Sequence, residues 1–264
     1  MFQDLLGHFD VMHVTAGLFV GVMVGLTGVG GGSLMTPLLV LMFGVNAKTA
    51  VGTDLLFAAI TKTVGSTVHG WRDTVDWRIF RRLAAGSIPA ALLSVVALQG
   101  LGEIGAQAEH VIIVFLGFML ILTAFAALFQ KRLMRLARRG GGRHDRRALL
   151  PTVLLGAFIG VAVSISSVGA GAIGVTALLM LYPTLPVSRI VGTDIVHAVP
   201  LALVAGSGHW LYGDVDPVLL VSLLVGSIPG VIVGSLLSSR APDHILRPAL
   251  AAVLLFSGLK LLTS

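Results

Sequence analysis

Cysteine is absent from the 264 residues, which excludes disulfides and thiolate metal sites. Charge is scarce as well, since Asp, Glu, Lys and Arg make up 11% of the chain and aromatic residues only 6%. No cofactor motif, nucleotide-binding loop or soluble domain is legible, so no cofactor is expected, and ATP-driven work would need a partner chain. Lys and Arg are missing from the opening stretch "MFQDLLGHFDVMH". It therefore lacks the charged start of a signal peptide and reads as an ordinary first span.

What fills the sequence is apolar: 56% hydrophobic residues and a mean hydropathy of +0.97, far from the average soluble domain. These values place the chain in a bilayer, where the question becomes which polar groups must be shielded from lipid. The net charge of +6 does not indicate a nucleic-acid surface, because eight of the eighteen Lys and Arg lie in "KRLMRLARRGGGRHDRR", Lys131 to Arg147. That run reads as a cytoplasmic loop.

Apolar runs fall at about 11–27, 33–44, 47–70, 79–100 and 111–130, then again at about 149–166, 172–182, 187–212, 217–238 and 245–262. The second set repeats the first. At a constant offset of 140, Gly52, Thr53 and Asp54 match Gly192, Thr193 and Asp194; His69 matches His209, Asp76 matches Asp216, and "GSIP" at Gly86 to Pro89 matches "GSIP" at Gly226 to Pro229. With a shift of one residue, "GVGGGS", Gly28 to Ser33, matches "SVGAGA", Ser167 to Ala172. The expected fold is an all-α polytopic membrane protein of two repeats of about five helical segments each, with roughly eight full spans plus short broken hairpin segments. The first repeat is 1–130, the basic linker 131–148 and the second repeat 149–264.

Charge sets the orientation. With the linker inside, Glu103 and Glu109 lie in an outer loop that has no Lys or Arg, and Arg72, Arg78, Arg81 and Arg82 lie inside. In the second repeat Asp214 and Asp216 fall outside, and Arg240 and Arg247 inside. The repeats are then inverted, with both termini outside, and the first two runs of each must form a hairpin. The second run spans about 12 residues, roughly 18 Å, against a hydrocarbon thickness of roughly 30 Å. The glycine-rich tips should therefore lie within the membrane, where non-helical backbone survives only if it is buried in protein or lines a wet cavity.

Residues costly to bury cluster in the third run of each repeat. Lys48, Asp54, Lys62 and His69 occupy one; Arg189, Asp194, His197 and His209 occupy the other. Lys62 offers an anion a fixed positive charge and has no counterpart, since Ala202 stands at the equivalent place. Asp194 and His197, spaced i and i+3, share a helix face as a proton relay would. By this topology Asp54 is nearer the outside and Asp194 nearer the inside. The tips present backbone N–H groups and helix N-termini to an anion through Gly28, Gly30, Gly31, Gly32, Gly169 and Gly171, with hydroxyls from Ser33, Ser166, Ser167, Thr53 and Thr193. A purely structural alternative stands beside this one: Asp54 and Asp194 would pin backbone amides at the tips, and most glycines, Gly86 and Gly226 among them, would only let helices cross closely. His69 and His209, next to Trp71 and Trp210, are expected as interface anchors.

The stretch "AVGTDLLFAAITKTVGSTVHGWRDTVDWRIFRRLAAGSIPAAL", residues 50–92, resembles the hallmark region of the TauE/SafE sulfite exporter family, and "GLTGVGGGSLMTPLL" resembles its N-terminal signature. The resemblance covers about 12–262. In the family's "G-x-V-D-W" turn, this chain has Asp73 at the glycine place, and Asp54 and Asp194 depart from the Thr-Ser form of many members. The resemblance implies a multi-pass permease of the bacterial inner membrane that moves sulfur-containing anions such as sulfite, thiosulfate or taurine- and sulfoacetate-type sulfonates, coupled to protons. The expected partners are lipid, a small anion and protons, with self-association left open. Two other ligand classes compete, a non-sulfur organic acid and a divalent metal held by the His209 to Asp214 stretch. The second is disfavoured by Lys62 in the path and by the lack of Cys. A serine protease built on "GSGH", Gly206 to His209, would put nucleophile and base on one helix without a supporting group, so the chain is expected not to be an enzyme. A membrane scaffold leaves the matched intramembrane charges without a role.

Overall fold

A computed structural model describes residues 11–27, 32–68, 75–102, 106–139, 148–237 and 243–263. They form ten α-helices: α1 Val11–Thr27, α2 Gly32–Phe43, α3 Ala47–Val68, α4 Trp77–Gly102, α5 Ala106–Arg139, α6 Leu149–Ser166, α7 Ala172–Leu181, α8 Val187–Leu211, α9 Pro217–Leu237 and α10 Asp243–Thr263. No strand occurs among the described residues. Six helices are long and apolar enough to cross a membrane, within α4, α5, α6, α8, α9 and α10. The second run of each repeat is short as expected, 12 residues in α2 and 10 in α7. Helix α5 runs past its apolar stretch to Arg139, because Lys, Arg, Leu and Met are strong helix formers and carry the helix into the basic segment.

Apolar side chains point outward as well as inward. Phe19, Leu93, Phe118, Leu154, Val225 and Phe256 are exposed, which suits lipid rather than water as the surrounding solvent. Inside, helices pair by close approach of small residues. Gly17, Gly21 and Gly25, four apart on α1, lie against the backbone of Leu223, Ser227 and Val231 on α9. Gly156 and Gly160 on α6 lie in the same way against Leu83 and Ser87 on α4. A Cβ at any of these glycines would run into a carbonyl oxygen across the contact. Gly86 packs against Val153 and Gly226 against Val14, so these two glycines have the packing role expected of them.

The contacts of Gly17, Gly21 and Gly226 recur as those of Gly156, Gly160 and Gly86, with the two halves of the chain exchanging roles. The loops follow the same rule. The N–H of Asp76 donates to Thr193 Oγ1 at 2.8 Å, and the N–H of Asp216 donates to Thr53 Oγ1 at 3.1 Å. Asp76 Oδ1 in turn accepts from the N–H groups of Arg78 and Ile79, and Asp216 Oδ1 from those of Val218 and Leu219. Each Asp is thus the N-cap of its helix. Helices α5 and α10 pack together, and α3 packs on α8. This last contact carries the buried charged groups.

Between α6 and α7 the chain leaves helical geometry. Ser167 is left-handed at φ 57°, and Gly169 and Gly171 have φ of 129° and 108°. A left-handed residue closing a helix lets the next N–H reach back to an orphan carbonyl, and the Ser167 N–H donates to Val163 O at 2.7 Å. The following two positive φ values require glycine or strain. The second tip is therefore broken backbone inside an apolar bundle, as its sequence predicts. The first tip, Gly28, Gly30 and Gly31 included, lies outside the described residues.

Candidate functional site

Asp54, about two turns into α3, is fully buried. The hydroxyl and the N–H of Thr36, on α2, both donate to its Oδ2, the latter at 3.2 Å. Its other oxygen has no hydrogen-bond partner, and the Ser167 hydroxyl lies toward the carboxyl from the broken tip. Asp194 on α8 is buried to the same degree. Its Oδ1 also lacks a partner; it lies against Gly174 of α7, where a Cβ would overlap it, and Gly171 points its N–H toward the carboxyl.

Lys62 joins the two. It is half-buried on α3 and lies within electrostatic reach of both Asp54 and Asp194, and of His197. His197 is fully buried; its Nε2 pairs with the Ser87 hydroxyl on α4 at 2.8 Å, and Phe80 packs on its ring edge to face. Its Nδ1 has no partner, and neither does the Ser167 hydroxyl. Buried polar atoms are nearly always hydrogen-bonded. The unpartnered atoms of Asp54, Asp194 and His197 belong to residues that all lie within electrostatic reach of Lys62.

The structure thus brings together Asp54, Lys62, Asp194 and His197, with Ser167 beside Asp54 and Gly171 beside Asp194; Gly169, in the same tip, lies beside Ala162, Val163 and Met119. Gly32 and Ser33 open α2, with Ser33 buried. Ser166 is turned to its own tip, donating to Ala162 O at 2.7 Å and accepting from the Val168 N–H. Thr53 and Thr193 use their hydroxyls to hold the Asp216 and Asp76 loops, and Thr193 also donates to Arg189 O at 2.7 Å. Thr36 and Ser87 were not singled out from sequence. Ser87 carries a signal in the repeated "GSIP"; Thr36 carries none, being an ordinary small residue in an apolar run.

His209 departs from its expected role as an interface anchor. It is fully buried, with Nε2 donating to Ser164 O at 2.9 Å and Nδ1 facing Asp214 Oδ2 at 3.3 Å. Gln99 donates to the same oxygen at 2.7 Å, and Lys48 pairs with Oδ1 at 3.7 Å. Partial burial opposes the charge of Asp214, but the hydrogen bonds from His209 and Gln99 and the charge of Lys48 outweigh it and hold the carboxyl below the usual range. Backbone pairing explains the change: a ring wedged between helices satisfies a carbonyl that lipid could not.

A family profile described as Sulfite exporter TauE/SafE matches residues 14–261. The chain is 40% identical over 257 residues to "Probable membrane transporter protein YjnA" of Bacillus subtilis (strain 168), covering 96% of this chain and 100% of that one. It is 29% identical over 249 residues to "Probable membrane transporter protein YdhB" of the same organism, covering 92% and 96%. A third relative, a "Probable membrane transporter protein" of Xylella fastidiosa (strain 9a5c), is 25% identical over 246 residues, covering 89% and 88%. No solved structure matches. Matched almost from end to end by the profile and by these relatives, the chain belongs to the TauE/SafE sulfite exporter family of membrane transporters.

Proposed function

We propose that this membrane transporter moves a small sulfur-containing oxyanion or organosulfonate together with protons, by alternating access between two inverted units, 1–130 and 149–264. The single observation that carries the proposal is Lys62, poised between two buried carboxyls with partnerless polar atoms around it. A cation inside a bilayer is expensive unless a counter-charge compensates it. Two carboxylates and one ammonium leave an excess of one negative charge, so an anion enters favourably only once a carboxyl has taken a proton. Coupling follows from this electrostatic balance: protons on Asp54 or Asp194, with His197 beside them, turn the centre from anion-repelling to anion-binding. The guest would then be held by Lys62, by the Ser167 hydroxyl and by the tip amides at Gly169 and Gly171. Gly28, Gly30, Gly31, Gly32 and Ser33 would do the same from the first tip, with Ser166, Thr53 and Thr193 fixing the surrounding backbone.

The exchanged contacts support a two-fold relation between the units, since one unit's α1 meets the other's α9 as α6 meets α4; the inversion rests on the charge bias of the loops. In this arrangement α1 and α3 complete eight spans in a bacterial inner membrane. The 131–148 linker is cytoplasmic and both termini are outside.

Purified protein should be stabilised against heat by one of sulfite, thiosulfate, sulfate or taurine, more strongly at the lower of two pH values, and Lys62→Met should remove the stabilisation while the protein stays folded. Equal stabilisation of the Lys62→Met variant would take Lys62 out of the site. Stabilisation by a non-sulfur organic acid or by a divalent metal alone would replace the ligand class.

A further inference from the structure

A cleft opens at the end of the bundle where α5 leads into the linker, and it reaches Asp194. Gln130 from α5, Arg247 from the first turns of α10 and Asp194 from α8 line it with polar groups, and Ala127, Val175 and Leu250 with apolar ones. Asp194, whose Oδ1 is buried without a partner against Gly174, lines the cleft together with Gly171, just before α7. The Arg247 guanidinium donates to Gln130 Oε1. Gln130 is thus one of the groups that hold the planar fork, and a guanidinium fork matches the oxygen geometry of carboxylates, phosphates and sulfonates.

The opposite end differs. There Lys48, Gln99 and His209 converge on Asp214 and tie α3, α4 and α8 to one loop, and Asp54 is covered by Thr36. The position equivalent to Arg247 in the other repeat is Gln107. The positive fork is therefore built at the linker end, and its repeat equivalent is neutral.

We infer that Arg247, held in part by Gln130, is an anion-admitting site at the linker-side mouth of the transport path, and that this structure is the conformation open to that side. The site takes a small oxyanion, so the inference rests on the proposed function for its ligand class. It does not set the direction of net transport, which the gradients determine. It makes the two faces kinetically unequal, with half-saturation at lower anion concentration from the linker side.

The absence of cysteine makes a direct test possible. Val191, half-buried on the cleft wall, is replaced in Val191→Cys and exposed to two membrane-impermeant thiol reagents of similar size, the anionic 2-sulfonatoethyl and the cationic 2-(trimethylammonium)ethyl methanethiosulfonate. Vesicles of each orientation are used. Labelling is expected from the linker side. The ratio of anionic to cationic labelling rates should fall about five-fold when Arg247→Gln is added, the effect of one charge at close range in a partly wet cleft, while Arg247→Lys should hold most of the ratio. An unchanged ratio in Arg247→Gln, or labelling confined to the opposite side, would overturn the inference. The readout needs no transport. A charge-selective mouth in a protein that no anion stabilises leaves this inference standing and sinks the ligand class, whereas Lys62-dependent anion binding with a charge-blind mouth does the reverse.

Discussion

Thr36 and Ser87 show how single residues complete a centre whose charged members are visible in the sequence. Asp54, Lys62, Asp194 and His197 stand out because an ionisable group in an apolar run needs a reason. Their hydroxyl partners do not stand out, since Thr and Ser are common in membrane helices and what each touches depends on which helix lies opposite. Asp214 illustrates the same limit: its loop position is legible, but Lys48, Gln99 and His209 meet it only after folding. Because its folded pKa lies below the unfolded value, its stabilisation is present above roughly pH 4 and is lost as pH falls through the lower folded value. Asp214→Asn should therefore lower stability by about 1 kcal/mol at neutral pH, the scale of a partly exposed charge network. The gap from wild type should close in acid. Thermal unfolding of both proteins from pH 7 to pH 3 measures it, and a gap that widens toward acid would contradict the assignment.

At the scale of helices, glycine spacing was the most informative signal, and it was ambiguous until the partners were known. The two readings of a glycine, packing or ligand, separate by place: Gly17, Gly21, Gly156 and Gly160 meet carbonyl oxygens of a neighbouring helix, while Gly169 and Gly171 hold backbone that no helix could adopt. Gly160→Ala should cost about 1 to 3 kcal/mol by forcing α6 and α4 apart. Gly100→Ala, on α4 with open space around it, should be neutral or mildly stabilising, as Ala is the better helix former. Folded yield and midpoint of thermal unfolding after detergent extraction compare the two. Equal losses would show that the close approach is not what Gly160 provides. Helix boundaries were legible to within a few residues where hydropathy fell sharply. They were not where a charged but helix-favouring run followed, as beyond Gln130.

For the molecule as a whole, the repeated motifs at offset 140 made the two-part construction legible, because matched pairs such as Thr53 with Thr193 and Asp76 with Asp216 have to serve matched contacts. What breaks the repeat is as telling. Lys62 stands where the second repeat has Ala202, His197 where the first repeat has Phe57, and Arg247 where it has Gln107. A symmetric scaffold that must only hold together has no use for these exceptions. The proposed transport would use them, because a single charged guest calls for a single cation. The cleft to Asp194 was not legible, since it is formed by residues of α5, α7, α8 and α10 that share no motif.

The central claim is coupled movement of a sulfur-containing anion through the Lys62 centre. Its most direct test is uptake of radiolabelled sulfite, thiosulfate or taurine into proteoliposomes, with and without an imposed pH gradient, for wild type and Lys62→Met. The account predicts uptake of at least one of these anions, driven above equilibrium when the outside is acid and lost in Lys62→Met. Uptake indifferent to the pH gradient, or intact without Lys62, would contradict it.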